Sequence, residues 1–302
     1  MLEDKRVCLI VNPKAGFSRR NIAWHPIEEI VDFFADKKIA TTMKITTAVG
    51  EGEMLAKEAV EEGFKFIVAC GGDGTINEVI NGLADSDAVM GAIPMGTENI
   101  LCKAMEIPLN IKPACQHFLD AEVQKIDYGK ANERIFIVMA GVGLDADVIK
   151  NMDPEMKNML GTVSFVLKGV YSLIAGQDYK AKVKIELLDK GETHEMDAWM
   201  VLVGNLPYYG GKIKVALEAE IDDGLLDIIA FLDKPDSSVV NQLIEVFTEK
   251  HNKVEDVMYF KSSDFKITTD HPVNTQIDGE YLGKTPLHCK AVKRGLRIKN
   301  VI

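Results

Sequence analysis

Short apolar runs alternate with amphipathic stretches along the first 127 residues of the chain. Four of these runs are apolar enough to be buried strands: Arg6–Val11, Ala40–Thr46, Phe66–Cys70 and Val89–Ile93. The stretches between them carry apolar residues at helical spacing: Trp24–Asp36, Glu53–Glu62 and Thr75–Ala84. Short apolar strands separated by helices are typical of βαβ units around a parallel sheet that is covered on both faces. A doubly wound α/β domain is therefore predicted.

The pattern changes after Tyr128, where runs of alternating apolar and charged residues dominate. Such alternation is typical of half-exposed antiparallel strands. The predicted strands are Arg134–Ala140, Lys180–Leu188, Ala198–Gly204, Leu225–Phe231, Asp264–Thr269, Val273–Ile277 and Leu287–Val292, with helices at Val163–Ala175 and Ser237–Glu249. We therefore expect two domains, residues 1–127 and a β-rich domain of residues 128–302. The tail at residues 293–302 is expected to pack back on the first domain.

Composition and charge argue against several classes of protein. The chain has 302 residues and a formal net charge of −11, which argues against a nucleic-acid partner because phosphate contact needs a basic surface. Its five cysteines form no CxxC pair, as expected for reduced thiols in a cytoplasmic protein. The longest mainly apolar stretch, residues 161–176, is interrupted by Lys168 and is shorter than the ~20 residues that span a bilayer.

The segment from Phe66 to Val79 carries the strongest chemical signal. A buried strand leads into Gly71, Gly72, Asp73 and Gly74, and an amphipathic helix follows directly from Thr75. Glycines at such a corner let backbone N–H groups converge on an anion, and the helix N-terminus adds partial positive charge. The simpler alternative is a tight strand–helix turn in which Thr75 is only a cap.

Two further loops follow strands of the same predicted sheet. Asn12–Gly16 follows the first strand, and Gly96 and Thr97 follow the fourth. Because the carboxyl ends of parallel strands meet at one crevice, the three loops are expected to lie at one nucleotide site. Taken alone, each of the two outer loops is more simply read as an ordinary connection.

Five motifs together resemble the diacylglycerol-kinase catalytic-domain family. They are NPKAG at 12–16, GGDGTINEVINGL at 71–83, PMGTEN at 94–99, DDGLL at 222–226 and DGE at 278–280. The resemblance is to the bacterial lipid-kinase branch, which is related to sphingosine kinases and more distantly to NAD kinases. It implies an NAD-kinase-like nucleotide domain and a C-terminal β-sandwich, with ATP in the cleft and phosphoryl transfer to a lipid hydroxyl.

The resemblance also implies the residues of the nucleotide site. They are Asn12, Pro13, Lys14, Ala15, Gly16, Thr47 (or Thr46, because the local alignment slips by one), Gly71, Gly72, Asp73, Gly74, Thr75, Asn77, Glu78, Gly96 and Thr97. Asp73 is expected to organise the Mg²⁺-nucleotide from a glycine turn outside the core, so that its loss would leave the fold intact.

A structural Mg²⁺ is implied at a second position. In the family the acidic turn at Asp222 and Asp223 organises the ion, helped by backbone carbonyls that by position belong to Glu220 and Leu225. Asp127 is expected to join the same acidic network and to link it toward Asp73. The alternative for Asp222, Asp223 and Gly224 is an ordinary β-turn, which this composition suits.

The DGE segment is the expected source of a general base. Asp278 and Glu280 alternate along a segment predicted to be extended, so their side chains would point to opposite faces and one would accept the alcohol proton. We expect Glu280 to be the base, with Asp278 as the second candidate and Asp73 as the third.

One segment departs from the motifs of the family. The family usually continues GT-x-N with Asp-Phe-Ala, whereas Asn99 is followed here by Ile100, Leu101 and Cys102. The departure leaves open a catalytically lapsed, nucleotide-binding regulatory protein, and the shared GGDG leaves open an NAD-kinase-like enzyme.

Gly141–Ala146 fits a dinucleotide-binding GxGxxA pattern but lacks the acidic residue ~20 positions later, so it is not expected to bind a cofactor.

The predicted partners are a lipid alcohol as substrate and a transient contact with the inner face of a membrane. The net charge opposes general adsorption to anionic lipid, so docking would depend on local basic residues. These are Lys290, Lys293, Arg294, Arg297 and Lys299. The oligomeric state is left open, with a homodimer among the options.

Overall fold

The computed structural model describes residues 5–15, 24–151, 180–209, 213–234 and 255–300, together with residues 242, 249 and 251. The chain divides into two compact units, Met1–Ile126 with Arg294–Ile302, and Asp127–Lys293. The first is called unit 1 and the second unit 2. Within the described ranges, no helix has the length and apolar composition needed to cross a membrane.

Unit 1 contains a parallel sheet with helices between its strands. Its elements are β1(Arg6–Val11), α1(Trp24–Asp36), β2(Ala40–Ile45), α2(Glu51–Glu61), β3(Phe66–Gly71), α3(Asp73–Leu83), β4(Val89–Pro94), α4(Ile100–Ala104) and α5(Ile111–Asp120). The strand order is β4-β3-β1-β2, and every pair is parallel. β3 and β4 are buried at every position, as expected for apolar strands covered on both faces.

Unit 2 is built from antiparallel strands, and the first and the last strand given next extend along the chain into unit 1. They are β5(Glu122–Ala131), β6(Arg134–Phe136), β7(Met139–Gly143), β8(Ala181–Leu187), β9(Glu192–Gly204), β10(Tyr208–Tyr209), β11(Ile213–Lys214), β12(Leu226–Leu232), β13(Val257–Ser262), β14(Asp264–Thr269), β15(Asn274–Ile277), β16(Glu280–Lys284) and β17(Leu287–Asn300), with helix α6(Leu144–Lys150) after β7. In β8 the even positions face outward, which is the alternation read from the sequence. The predicted fold class, α/β followed by a β-sandwich type of domain, is confirmed.

The last strand contributes to both units. Residues Leu287 to Lys290 of β17 pair antiparallel with β14 in unit 2. Arg297 and Ile298 pair parallel with Val89 and Met90 of β4 in unit 1. This part of β17 is therefore a strand of the unit 1 sheet.

Several elements differ from the predictions. The strand predicted at Arg134–Ala140 is two strands, β6 and β7, because the backbone between them turns toward Asp278 and donates N–H groups to its carboxylate. The hydrophobic pattern did not predict α4, α5, α6, β5, β13 or β16 as separate elements. The helices predicted at Val163–Ala175 and Ser237–Glu249 lie, apart from Gln242 and Glu249, outside the described residues.

Candidate functional site

The carboxyl ends of β1, β3 and β4 lie side by side at one edge of the unit 1 sheet. Val11 is in register with Cys70, and Gly71 is in register with Pro94. The backbone N–H of Asn12 donates to the Cys70 carbonyl at 3.0 Å, just beyond the paired strands. The three glycine-bearing loops therefore begin at neighbouring positions, and the prediction that they share one edge is confirmed.

Polar side chains join the first loop to its neighbours. The amide of Asn12 donates to the Thr75 hydroxyl at 3.0 Å, and its carbonyl oxygen accepts the Lys14 backbone N–H at 3.0 Å. The ammonium of Lys14 is exposed and lies 3.3 Å from the Thr47 carbonyl oxygen, to which it donates. Four predicted site residues are thus brought together, whereas Gly16 lies outside the described residues.

The second and third loops touch through their backbones. A Cβ atom on Gly96 would lie 2.6 Å from the Cα of Gly72, which real Cβ atoms do not tolerate. A Cβ on Gly71 would lie 2.5 Å from the Cβ of Thr75. These glycines are required by the packing of the loops themselves.

Gly74 is different, because a Cβ atom there would meet nothing within 4 Å and its backbone is not left-handed. The protein's own packing therefore does not require a glycine at this exposed position. Gly74 lies in the first turn of α3, whose N-terminus has no side-chain cap. A helix N-terminus with free space above its backbone suits an anion such as a phosphate.

Asp73 holds the third loop. Its Oδ1 accepts the backbone N–H of Ile100, at the start of α4, at 2.5 Å. Burial raises the pKa of this carboxyl, while the N–H groups of Ile100 and Asn99 oppose that rise. Its carboxylate therefore connects the α3 turn to the N-terminus of α4, and the expectation that loss of Asp73 leaves the fold intact stays a prediction.

Glu78 also binds backbone rather than solvent. Its two carboxylate oxygens accept the N–H groups of Gly50 at 2.8 Å and Gly52 at 2.9 Å. Asn77, one residue earlier, accepts a hydrogen bond from the Asn81 amide at 2.9 Å. In unit 1, Glu78 therefore fixes the start of α2.

The structure separates the two threonines that the sequence left open. Thr46 is buried, and its hydroxyl donates to the Val11 carbonyl at 3.4 Å. Thr47 is exposed, with its hydroxyl 3.0 Å from the Glu51 carboxylate. Thr97 is exposed as well. Of the two alternatives, only Thr47 presents its side chain at the surface.

In unit 2, Asp278 and Gly279 form the two-residue turn between β15 and β16. Their φ angles are 44° and 81°, and Ile277 pairs directly with Glu280 across the turn. Two positive φ values are the signature of a type I′ hairpin turn, for which Asp-Gly is a favoured sequence. The prediction that Asp278 and Glu280 alternate along one extended segment is therefore wrong.

The turn separates the roles open to the two carboxylates. Asp278 accepts the N–H groups of Ile137 at 2.8 Å, Val138 at 3.0 Å and Met139 at 2.9 Å. Glu280 is about half exposed, and the Arg134 guanidinium lies 3.8 Å from its carboxylate. A carboxylate with three backbone donors is bound in place. Glu280 is the one left accessible to a substrate.

Asp127, which is fully buried, holds the acidic turn at residues 222–224 in place. The Asp127 carboxylate accepts the Gly224 N–H at 2.6 Å, and its own N–H donates to the Ile221 carbonyl at 2.7 Å. Asp223 accepts the Leu225 N–H at 2.8 Å, and Asp222 is exposed. The predicted link from Asp127 toward Asp73 joins residues of different units and stays a prediction.

Asp227, which the sequence analysis did not single out, completes this acidic cluster. It is 1% exposed, and burial raises the pKa of its carboxyl. One oxygen accepts the Tyr259 hydroxyl and lies 3.5 Å from the Lys261 ammonium. The other oxygen is buried with no hydrogen-bond partner. The signal in the sequence was a third aspartate four residues after Asp223.

The chemistry of this cluster fits a hard cation. Carboxylate and carbonyl oxygens are the ligands that Mg²⁺ prefers, and a buried carboxylate oxygen without a donor favours positive charge nearby. Lys261, 3.8 Å from Asp223, already supplies part of that charge. Within the described ranges no three Asp, Glu, His or Cys side chains form a ligand set, so an ion here would rely on backbone carbonyls such as those of Glu220 and Leu225.

Asp145 is a second acid that the sequence analysis passed over, because it lay in the rejected GxGxxA segment. It is 1% exposed, and one of its carboxylate oxygens has no hydrogen-bond partner. Burial raises the pKa of this carboxyl to about 7. The other oxygen accepts the Gln276 amide at 2.8 Å.

Three of the five basic residues expected to steer docking are bonded within the protein, and their role in docking stays a prediction. Lys299 is buried and donates to the Ala121 carbonyl, and Arg297 pairs with Asp87 at 2.8 Å. Lys293 donates to the Asp223 carbonyl at 3.0 Å. These three cations are therefore engaged within the protein.

Comparison with known families identifies the class of protein. Residues 6–131 match the diacylglycerol kinase catalytic domain, and residues 137–300 match the YegS C-terminal NAD kinase beta sandwich-like domain. Together these matches cover nearly the whole chain. The chain belongs to the diacylglycerol-kinase catalytic-domain family, which is a family of lipid kinases.

Individual relatives agree with this placement. A diacylglycerol kinase of Bacillus subtilis is 29% identical over 93% of this chain and 92% of its own length. One of Staphylococcus saprophyticus is 27% identical over 97% and 95%. A crystal structure from Bacillus anthracis, described as a candidate diacylglycerol kinase, is 27% identical and superimposes with a TM-score of 0.83, covering 100% of this chain and 97% of its own.

The two kinds of glycine in unit 1 should respond differently to a methyl group. Gly96→Ala should lower the melting temperature, because the new Cβ would press on the Gly72 backbone and the two loops would have to separate. Gly74→Ala should leave it unchanged or raise it slightly, because alanine favours a helix. Thermal unfolding followed by circular dichroism measures both. Equal melting temperatures for Gly96→Ala and wild type would contradict the close approach.

Asp145 should make stability depend on pH in a defined direction. Because its pKa is raised in the folded state from 3.8 to about 7, the neutral carboxyl stabilises the fold at low pH, and that stabilisation is lost as pH rises through 7. The free energy of unfolding of wild type relative to Asp145→Asn should therefore fall by about 2–3 kcal/mol between pH 5 and pH 8. Urea denaturation at both pH values measures it, and parallel pH curves would refute the assignment.

Proposed function

We propose that the protein is an ATP-dependent kinase that transfers the γ-phosphoryl group to the hydroxyl of diacylglycerol or a related lipid alcohol. The observation that carries the proposal is the open backbone at Gly74, among three converging glycine loops, in a chain of the lipid-kinase family. Phosphoryl transfer depends mainly on positioning and charge neutralisation, which loops of backbone N–H groups and one cation can supply.

In this proposal the glycine loops of unit 1 hold the phosphates of ATP. The N–H groups at the start of α3 face the phosphate oxygens, and the exposed ammonium of Lys14 adds a positive charge beside Thr47. Asp73 and Glu78 act indirectly, because their carboxylates hold the loop backbones in place. Neither carboxylate then adds an unpaired negative charge next to the phosphates.

Mg²⁺ is proposed in two roles. Bound with ATP, it would neutralise phosphate charge during transfer. At the acidic turn of unit 2, Asp222, Asp223 and the carbonyls of Glu220 and Leu225 would hold a structural ion, above the buried carboxylate of Asp127. The unpartnered oxygen of Asp227 supports a cation in this region.

Glu280 is proposed as the general base. Its carboxylate is exposed at the start of β16, whereas the Asp278 carboxylate is occupied by three backbone donors. A base must be able to reach the proton of the substrate hydroxyl. Glu280 meets that requirement, and Asp278 holds the turn from which Glu280 extends.

The function is tested by incubating the purified protein with γ-labelled ATP and diacylglycerol in detergent micelles, with NAD and a total lipid extract in parallel. Label should appear in a lipid product. Label in NAD would identify an NAD kinase, and ATP binding without transfer to any lipid would identify a regulatory protein. Gly74→Ala, which should keep its melting temperature, should bind ATP at least tenfold more weakly.

Glu280→Gln should lower kcat by about 10²–10⁴-fold, because the acceptor proton loses its base. Its melting temperature and ATP affinity should stay at the wild-type values, since Glu280 is exposed and ATP is assigned to unit 1. Glu133→Gln, at an exposed acid one residue before Arg134, is the control and should keep full activity. Wild-type turnover in Glu280→Gln would place the base elsewhere.

Asp278→Asn should act on stability instead, because an amide accepts the three N–H groups less strongly than a carboxylate does. A loss of about 1–3 kcal/mol in the free energy of unfolding is expected. Urea denaturation measures it. Unchanged stability with a large loss of kcat would reverse the roles assigned to the two acids.

Chelation tests the structural ion. EDTA should lower the melting temperature of the wild-type protein in the absence of nucleotide, because the neighbouring carboxylates of the turn would lose the positive charge that offsets their repulsion. The double variant Asp222→Asn, Asp223→Asn should not respond to EDTA. A wild-type melting temperature that EDTA does not change would rule out a structural metal ion.

A further inference from the structure

The first turn of α6 in unit 2 contains a buried acid that the proposed catalytic roles do not use. Asp145 is the second residue of α6 and is 1% exposed. A carboxylate at such a position weakens the fold unless its oxygens are bonded, and one of them has no partner. Its side-chain partner, Gln276, therefore indicates what this acid does.

The space for this carboxyl is built into the neighbouring strand. A Cβ atom on Gly141 of β7 would lie 2.0 Å from one Asp145 oxygen, so any larger residue at 141 would displace the carboxyl. That oxygen, Oδ2, is the one that accepts the Gln276 amide. Gly141 and Asp145 therefore form a fitted pair.

Gln276 carries the contact onward to the DGE turn. It is 2% exposed and lies in β15, two residues before Asp278. Its side-chain oxygen accepts the Gly279 N–H at 3.0 Å, while its side-chain nitrogen donates to Asp145 at 2.8 Å. The Gly279 N–H can only donate, so the amide must present its oxygen to the turn. Its nitrogen then needs an acceptor, which Asp145 provides.

We propose that Asp145 and Gln276 are positioning residues that set the conformation of the Asp278–Gly279 turn and thereby the direction of the Glu280 side chain. The inference rests on the proposed role of Glu280. Asp278 fixes one side of the turn through three backbone donors, and Gln276 fixes the other through Gly279. Glu280 follows directly, so a shift of the turn moves its carboxylate.

The size of the effect follows from geometry. A catalytic group works only when it is held within about 0.5 Å of its productive position, and a displacement of about 1 Å can cost about 10²-fold in rate. Loss of one buried hydrogen bond in the turn permits a shift of that order. Binding of ATP to unit 1 should not change, because neither residue belongs to that unit.

The experiment compares Gln276→Met, Asp145→Leu and Asp145→Asn. The first two remove the contact and should lower kcat 10–100-fold with an unchanged KM for ATP. Asp145→Asn still offers an oxygen to Gln276 and should stay within about threefold of wild type. Near wild-type activity in Asp145→Asn would show that kcat depends on the hydrogen bond to Gln276 and not on packing around residue 145 in general.

Gln242→Met is the matched control. Gln242 is also 1% exposed in unit 2, where its amide accepts from the Trp199 ring nitrogen at 2.9 Å and donates to the Leu232 carbonyl at 2.9 Å. Its replacement should lower the melting temperature about as much as Gln276→Met but leave kcat intact. If Gln276→Met lowers kcat no more than Gln242→Met does, the proposal is wrong.

Hydrogen exchange gives a readout that does not depend on kinase activity. The Gly279 N–H should be protected in wild type and in Asp145→Asn, and should exchange at least tenfold faster in Gln276→Met and Asp145→Leu. Unchanged protection in these two variants would overturn the positioning role even in an active kinase. A wild-type protein that phosphorylates no lipid would overturn the proposed function, while the exchange rates would still decide whether Asp145 orders the turn.

Discussion

The backbone contact between Gly72 and Gly96 is the constraint on which the candidate nucleotide site depends. Parallel pairing of β3 with β4 brings the two loops to the same edge, but the close approach requires a residue without a Cβ at position 96, because a Cβ there would lie 2.6 Å from the Gly72 Cα. Once the loops touch, Asp73 can reach the Ile100 N–H and fasten the start of α4. The shape of the site therefore depends on the absence of a Cβ atom in these loops.

Acidic residues of the family motifs bind backbone N–H groups throughout both units. Asp73, Glu78 and Asp278 each accept from loop backbones, and Asp127 accepts from the acidic turn. Charged acceptors make stronger hydrogen bonds than neutral ones. Each acid therefore holds a loop whose backbone N–H groups are not bonded within a helix or a sheet. The acids that characterise the motifs therefore mostly build the loops. In the proposed mechanism the chemistry is left to backbone N–H groups and to the few exposed charges, among them Glu280.

Periodicity was sufficient to predict β1 to β4 and the helices between them, because each element carries its own burial pattern. It failed where a distant partner decides the structure. The break between β6 and β7 follows from the Asp278 carboxylate about 140 residues later, which no local pattern contains. The Asp278–Gly279 turn was within reach, since Asp-Gly favours a type I′ hairpin. Because the segment was predicted to be extended, the bound state of the Asp278 carboxylate and the exposure of Glu280 were not predicted.

The departure at Ile100, Leu101 and Cys102 was the sequence argument for a lapsed enzyme. The contact that α4 makes with the α3 turn uses the backbone N–H of Ile100, which any residue except proline provides. Leu101 and Cys102 are buried and pack as apolar side chains. The departure thus changes the chemistry of a short helix and leaves the link to Asp73 in place. Loss of the family's acid alone is therefore no reason to expect a collapsed nucleotide site, and under the proposed mechanism the choice between kinase and regulator depends on Glu280 and its turn.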